Sequence, residues 1–389
     1  MGLLFIVRTK VGTHMLLTLA MFATFGIAAA LTALLIPPVT RLCFRYNWLA
    51  HPNARRIHKV PIPTLGGIAM IAAFVITTII TFSYSQFTPL LERSSFESLR
   101  LMLMLVGALL VAVVSMIDDV RELPALPRLM VHILAALIAV GPYLWDHTLY
   151  TDIRGDPTEA QGIILTAFNF PFVHQIHLHN ISPWLAIGAT IFWIVGMMNM
   201  LNWVDGMDGL ATGITLIAAL VLAIHTFLLK QYTVMLLPLI LAGVCAGFLP
   251  FNFNPAKIFM GDVGAMTLGY ILAVSAIIGG AKLATALLVL AVPIIDMAWL
   301  ILLRTLRGRS AAQAGRDHLH IRLLDLGFSQ RQIVCAYYLL SAAFGVLALS
   351  PISAGAKLAA LIVLGLIVLG VLVYVTFAEP QQKTQNASR

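Results

Sequence analysis

Charge is what this sequence has least of. Asp, Glu, Lys and Arg make up 10% of its 389 residues, against about 25% in a soluble domain. With 60% hydrophobic residues and a mean hydropathy of +0.95, that shortage excludes a soluble globular protein. Alternating ten-residue strands are also missing, which excludes a membrane β-barrel. No dense basic patch with interleaved aromatics occurs, so no nucleic-acid partner is expected. The formal net charge of +8 reads instead as membrane orientation plus anionic substrates. Cysteine is scarce: Cys43, Cys245 and Cys335 lie far apart, without metal or redox spacing, and read as packing residues. No polar segment is long enough to fold alone, and no repeat of fixed period is present. The opening MGLLFIVRTK is too short and too poorly flanked for a signal peptide, so the first span is expected to be retained.

What is there is a series of eleven apolar spans, at about 15–37, 65–83, 99–117, 129–145, 182–201, 209–229, 232–250, 263–281, 283–303, 333–350 and 355–377. Each is close to the ~20 residues that cross a hydrocarbon core. The expected fold is an all-α integral membrane protein, a single polytopic domain over residues 1–389. Grouping the loops alternately puts sixteen of the 24 Lys and Arg on one side and eight on the other. The positive-inside rule then places the N-terminus outside and the C-terminus in the cytoplasm. The loop 146–181 falls outside. Its His174-x-x-His177-x-His179 could bind zinc, but no carboxylate or cysteine joins it at fixed spacing, and a solvated loop is the preferred reading.

The chain is organised around residues 199–213. Asn199, Asn202, Asp205 and Asp208 recur at three-residue intervals, with Gly206 and Gly209 among them. On a helix such a row spans roughly half a circumference, and the glycines let the backbone turn. The expected result is a helix end that aims two amides and two carboxylates into one space. Ionisable groups at a membrane boundary are costly and mark a substrate or ion path.

Four further polar clusters fall on the same side, in loops 38–64, 118–128, 251–262 and 304–332; the organising stretch supplies 202–208. The first loop carries Arg55, Arg56, His58 and Lys59 before Pro61-Ile-Pro63-Thr64-Leu-Gly66-Gly67, which reads as an anion-binding gateway stiffened by proline. Asp118 and Asp119 leave the third span together. Adjacent carboxylates repel, so the pair suits a metal, a cation or a proton to be removed, with helix capping as the plain alternative. Arg121 and Arg128 follow and could steady a phosphate. Asp262, between Gly261 and Gly264, suits approach to a hard cation and would also serve as a helix N-cap. The fifth loop reads Arg316-Asp317-His318-Leu-His320-Ile-Arg322, a cation-rich patch suited to phosphate or sugar more than to metal. Asp296, inside the ninth span, needs a partner; Arg304 is one candidate, and the residue reads as structural.

Together, Arg-Arg-x-His-Lys-x-Pro-x-Pro-Thr-x-Gly-Gly, Asp118-Asp119, Asn-x-x-Asn-x-x-Asp-Gly-x-Asp-Gly, Phe-Asn-Pro-Ala-Lys-x-Phe-Met-Gly-Asp and Asp-His-x-His resemble the polyprenyl-phosphate N-acetylhexosamine-1-phosphate transferase family, in order, over residues 51–329. The chain looks closest to the WecA-type branch, which moves GlcNAc-1-phosphate from UDP-GlcNAc to undecaprenyl phosphate. It departs from the usual pattern at Ile321, where another His is common, and at His51, where an Asp often precedes Pro. The resemblance implies a Mg²⁺-dependent enzyme, with Mn²⁺ as a substitute, in the bacterial cytoplasmic (inner) membrane with its site facing the cytoplasm. It implies a UDP-N-acetylhexosamine and undecaprenyl phosphate as partners, and it leaves a homodimer open. By position it puts Asp262 on the metal, with Asn202 as a second ligand. Asp118 and Asp119 face the lipid phosphate, one as base, and Asp205 is catalytic with them, near the nucleotide; Asn199 binds substrate, and Asp208, also near the nucleotide, is the candidate for the uracil. Lys59, Arg128, His318 and His320 contact phosphates or sugar.

Three rivals remain. Prenyltransferases that read Asn-Asp-x-x-Asp-x-x-x-Asp do not match the spacing Asn202-x-x-Asp205-x-x-Asp208, and CDP-alcohol phosphotransferases need an Asp-Gly-x-x-Ala-Arg that is missing. An ion-coupled transporter is the second reading. Its carboxylates belong near mid-membrane, whereas these clusters lie at one face.

Overall fold

The computed structural model describes residues 2–52, 60–151, 157–168, 176–278, 283–308 and 318–377. Fourteen helices are present among them: α1 Gly2–Tyr46, α2 Gly66–Thr81, α3 Ser95–Arg121, α4 Ala125–Val140, α5 Leu178–Ile181, α6 Pro183–Val204, α7 Leu210–Leu228, α8 Tyr232–Asn252, α9 Gly261–Ile277, α10 Leu283–Val289, α11 Ala291–Leu306, α12 Leu319–Asp325, α13 Gln330–Leu349 and α14 Ala354–Phe377. Among the described residues nine helices are long and apolar enough to cross a membrane. The two other expected spans take different forms. The span expected at 263–281 is the shorter apolar helix α9. That at 283–303 is the pair α10–α11, bent by 79°. Both read in sequence as apolar runs, broken in the second only by Asp296, so periodicity gives no sign of the bend.

Helices form here because water is absent from a bilayer core and every backbone group must be satisfied within its own segment. Their sequences divide by face. On α3, Met102, Val106, Leu109 and Val113 are exposed, while Leu101, Met104, Ala108 and Val111 are buried. That apolar outer stripe suits lipid. Helix α9 is different: every residue from Val263 to Ile277 is buried. It packs against α3 and α6, with α2, α7 and α8 also in contact, and so stands at the centre of the molecule. A helix apolar all round is one that neighbours surround.

Three small antiparallel ribbons complete the chain: β1 Leu49–Ala50 with β2 Ile62–Pro63, β3 Leu149–Thr151 with β4 Pro157–Ala160, and β5 Ala167–Phe168 with β6 Ile176–His177. Two of them lie in the stretch expected outside, between α4 and α6. There His179 bonds the Tyr143 hydroxyl, and His177 is exposed. His174 lies outside the described residues.

Candidate active site

The polar clusters meet at one set of helix ends: the C-terminal ends of α3, α6 and α8, and the N-terminal ends of α2, α4, α7, α9, α12 and α13. Helix α9 is the hub. Its first turn carries Asp262, and its free N–H groups need acceptors. Asp262 does not cap it, against the expectation from sequence; the residue at the cap is Met260, with no side-chain bond. The acceptor comes from α3. Asp119 Oδ1 accepts the Asp262 N–H at 2.9 Å, and Oδ2 accepts the Val263 N–H at 3.0 Å. One carboxylate thus serves the two N–H groups a cap normally serves and fixes Asp262 against the end of α3.

Its neighbour Asp118 is buried and held differently. Oδ1 accepts the Leu123 N–H at 2.6 Å, and Oδ2 pairs with Arg128 NH1 at 2.8 Å. The same guanidinium nitrogen lies 3.6 Å from Asp262 Oδ2, so Arg128 bridges the two carboxylates. Asn202, in the last turn of α6, donates Nδ2 to Asp262 Oδ1 at 2.7 Å. Asp205 ends α6 one turn later. Its pKa is pushed well up, first by burial and then by the carboxylates of Asp262, Asp119 and Asp208. Arg128 therefore lies between Asp118 and Asp262, and Asp119 and Asp205 stand close to Asp262 on its other sides. The surplus of hard anionic oxygens, with the Asn202 amide oxygen beside Asp262, suits a divalent hard cation.

The row 199–208 does not aim all four side chains into one space. Asn199 donates back to Val195 O at 2.8 Å, within its own helix. Asp208 turns toward the end of α8, where Oδ2 accepts Asn254 Nδ2 at 2.8 Å and the Ala256 N–H at 3.0 Å. Asn202 and Asp205 alone of the four face Asp262. The glycines do turn the chain: Gly209, at φ +80°, starts α7. Its N–H is accepted by Asn252 Oδ1, which also accepts from Thr212, while Asn252 Nδ2 donates to Ile258 O. Neither Asn252 nor Asn254 was singled out from sequence. Their signal was there: amides at the end of an apolar span, the same mark that picked out Asn202.

The Pro-x-Pro-Thr-Leu-Gly-Gly segment has another task than holding an anion. The N–H groups of Gly66 and Gly67 donate to Phe259 O and Met260 O at 2.9 Å each, and Phe259 N–H donates to Pro63 O at 2.8 Å. The segment clamps the approach to Asp262. A Cβ on Gly67 would stand 2.3 Å from the Gly264 nitrogen, so the pair of glycines permits α2 and α9 to touch. Lys59, with Arg55, Arg56 and His58, lies outside the described residues.

From the fifth loop, His318 stands edge-on to Trp203 with ring centres 5.7 Å apart, and it stacks on His320 at 5.4 Å. His320 is buried, and a Cβ on Gly206 would stand 2.5 Å from its Nε2. Burial pushes its pKa down to about 4, with His318 adding to the fall and Asp296 opposing it. The cation-rich reading of this patch fails at His320, which is neutral at pH 7. It supports the Asp205–Gly206 turn by packing. Arg316 and Asp317 lie outside the described residues.

Comparisons with known proteins identify the family. The family model described as "Glycosyl transferase family 4" matches residues 101–280, which include the ends of α3 and α6 and the whole approach to α9. The decaprenyl-phosphate N-acetylglucosaminephosphotransferase of Mycobacterium tuberculosis (strain CDC 1551 / Oshkosh) is 34% identical over 341 residues, covering 80% of this chain and 78% of the relative. A Bacillus subtilis (strain 168) protein named "Probable undecaprenyl-phosphate N-acetylglucosaminyl 1-phosphate transferase" is 28% identical over 349 residues, 88% of each chain. The phospho-N-acetylmuramoyl-pentapeptide-transferase of Staphylococcus carnosus (strain TM300) is 29% identical over 280 residues, 69% of this chain and 78% of the relative. With that identity sustained across four-fifths of the chain, and carboxylates from the ends of α3 and α6 gathered beside Asp262, this protein belongs to the polyprenyl-phosphate N-acetylglucosamine-1-phosphate transferases of glycosyl transferase family 4.

Proposed function

We propose that this chain transfers GlcNAc-1-phosphate from UDP-GlcNAc to undecaprenyl phosphate, giving undecaprenyl-diphosphate-GlcNAc and UMP, at the cytoplasmic face of a bacterial inner membrane. The observation that carries the reading is the gathering of Asp118, Asp119 and Asp205 about Asp262, with Arg128 bridging Asp118 and Asp262, at the mouth of apolar helices. A long lipid tail can stay in the bilayer while its phosphate reaches the helix ends. Asp262 and Asn202 would hold Mg²⁺. When bound, the ion neutralises the diphosphate and polarises the phosphorus under attack.

The chain's own groups do the rest. Arg128, half-exposed, is the cation that meets a phosphate, and its two carboxylate contacts keep the guanidinium in place. Asp118 lies beside it and receives or holds the proton of the arriving lipid phosphate, so that the phosphate stays a nucleophile. Asp119 keeps Asp262 at the start of α9. Asp208 stands one turn beyond Asp205, braced by Asn254 and the Ala256 N–H, and suits the hydrogen-bond donors of a uracil ring. Exchange of one diphosphate bond for another leaves the equilibrium near balance, so added UMP drives the reverse reaction.

The test uses purified full-length protein, undecaprenyl phosphate and UDP-GlcNAc labelled with ³²P at the β-phosphorus. The label is expected in the lipid product, with UMP released, activity lost on chelation and restored by Mg²⁺ or Mn²⁺. Label recovered in UDP beside an unlabelled lipid-linked sugar would show attack at the sugar carbon and overturn the reading.

A further inference from the structure

Asp296 is an ionisable residue inside an apolar segment, where a carboxylate is costly without a partner. It is 4% exposed and lies in the second turn of α11, just past the bend from α10. Its Oδ1 accepts the Leu319 N–H at 3.0 Å, and its Oδ2 lies 3.4 Å from His318 Nδ1. Leu319 opens α12, so the carboxylate holds both the start of that short helix and the side chain just before it. His318 meets Trp203, the neighbour of Asn202, and His320 closes on Gly206. One buried carboxylate therefore ties the fifth loop to the helix end that carries Asn202 and Asp205.

The bond to His318 also has a direction. A carboxylate oxygen accepts and cannot donate, so Nδ1 must carry the hydrogen, and in the neutral ring Nε2 then keeps its lone pair. We infer that Asp296 is a positioning residue: it locks His318 as the Nδ1–H tautomer and presents Nε2 as a hydrogen-bond acceptor beside the Asn202 end of α6. An acceptor there suits a hydroxyl or amide N–H of the bound sugar, and does not suit a phosphate oxygen. The substrate half of this inference rests on the transferase reading; the tautomer does not. Outer partners of this kind contribute about 10–100-fold where they orient a histidine on a metal, and the same geometric control applies to a histidine that meets substrate.

Two measurements test it. In full-length protein labelled with ¹⁵N-histidine and placed in lipid bilayers, the His318 signals are identified by their loss in His318→Gln. Solid-state NMR at pH 8 is expected to show Nδ1 protonated and Nε2 bare, and Asp296→Asn is expected to shift His318 to the other tautomer. A wild-type His318 protonated on Nε2 overturns the proposal. In the second measurement, Asp296→Asn is expected to lower kcat/KM for UDP-GlcNAc by about tenfold or more, but by less than about twofold in a His318→Gln background, because coupled residues do not add. Full losses in both backgrounds would show a scaffold role and sink it. Asp296→Ser repeats both measurements if the asparagine variant does not survive solubilisation; unfolding of both variants also overturns the proposal. So does one zinc ion per wild-type chain that is lost in Asp296→Asn, since Asp296, His318 and His320 bring ligand atoms within 4.8 Å of one another. A wild type without turnover would count against the transferase, while the NMR result still decides the tautomer.

Discussion

At neutral pH His320 carries no charge, and that follows from where its neighbours put it. It is 2% exposed, stacked on His318, with its Nε2 facing Gly206. Its pKa falls from 6.5 to about 4, chiefly through burial. The sign of the stability effect follows. Above pH 6.5 both folded and unfolded chains hold the ring neutral. Between 6.5 and 4 the unfolded chain takes up a proton that the folded one refuses, so stability drops as pH falls through this window. The unfolding temperature of detergent-solubilised protein should therefore decline from pH 7 to pH 5, and His320→Gln should flatten that decline. An unchanged slope in the variant would place the pH sensitivity elsewhere. Asp205 works in the opposite direction. Its raised pKa favours the protonated fold, so its contribution is full at low pH and is lost as pH rises through the folded-state pKa. The two residues sit on either side of Gly206 and narrow the range in which the turn is most stable.

Among the elements, α9 depends on others for its start. Asp119 caps it from α3, Gly66 and Gly67 bind the carbonyls just before it, and Gly264 lets α2 lie against it. Gly67→Val puts a branched side chain where the backbone of Gly264 already stands, and backbone cannot give way as a side-chain tip can. Overpacking of this kind costs about 1–3 kcal/mol, or about 1–4 °C in unfolding temperature for a chain of this length. The variant should lose that much stability, with turnover reduced because Asp262 moves with α9; a variant of wild-type stability would show that the helices separate without cost. The same elements show what a sequence can and cannot reveal. The spans were legible because each is a run of apolar residues near bilayer length, and Asn202, Asp205 and Asp262 because polar groups stand out at such boundaries. The cap was not. Asp119 and Asp262 are 143 positions apart, and no local pattern says that one carboxylate serves the other's helix. Gly66-Gly67 suggested an open backbone for an anion when its real neighbour was another glycine far down the chain. The histidines suggested charge because exposure cannot be read from spacing, and the bend at residue 290 escapes the hydropathy pattern because the residues on both sides are apolar; its one local mark is Pro293 in the first turn of α11.

For the molecule as a whole, orientation rests on the distribution of cations. The alternation of loops expected from sequence puts sixteen of the 24 Lys and Arg on the side that holds Asp262, and eight on the other. Two of those eight are tied into the protein rather than free to act as loop charges. Arg100 is 9% exposed and donates to Gly162 O and Ala160 O, while Arg93 donates to Thr81. The larger group has tied-in members of its own, Arg128 on Asp118, Arg322 on Thr376 O and Arg331 on Asn254 O, so the bias that sets orientation stays close to the two to one of the bare count. The prediction is that the site end faces the cytoplasm. Cys43 and Cys245 are buried and Cys335 is exposed, so single cysteines belong in a Cys335→Ser background. Thr148→Cys, in an exposed position of the stretch between α4 and α6, should react with a membrane-impermeant thiol reagent in intact cells. Phe328→Cys, exposed between α12 and α13, should react only after the cells are opened. The reverse pattern would turn the molecule over and bring the nucleotide-sugar from the wrong compartment. Reaction of both in intact cells would break the alternation of helix ends on which a single-faced site depends.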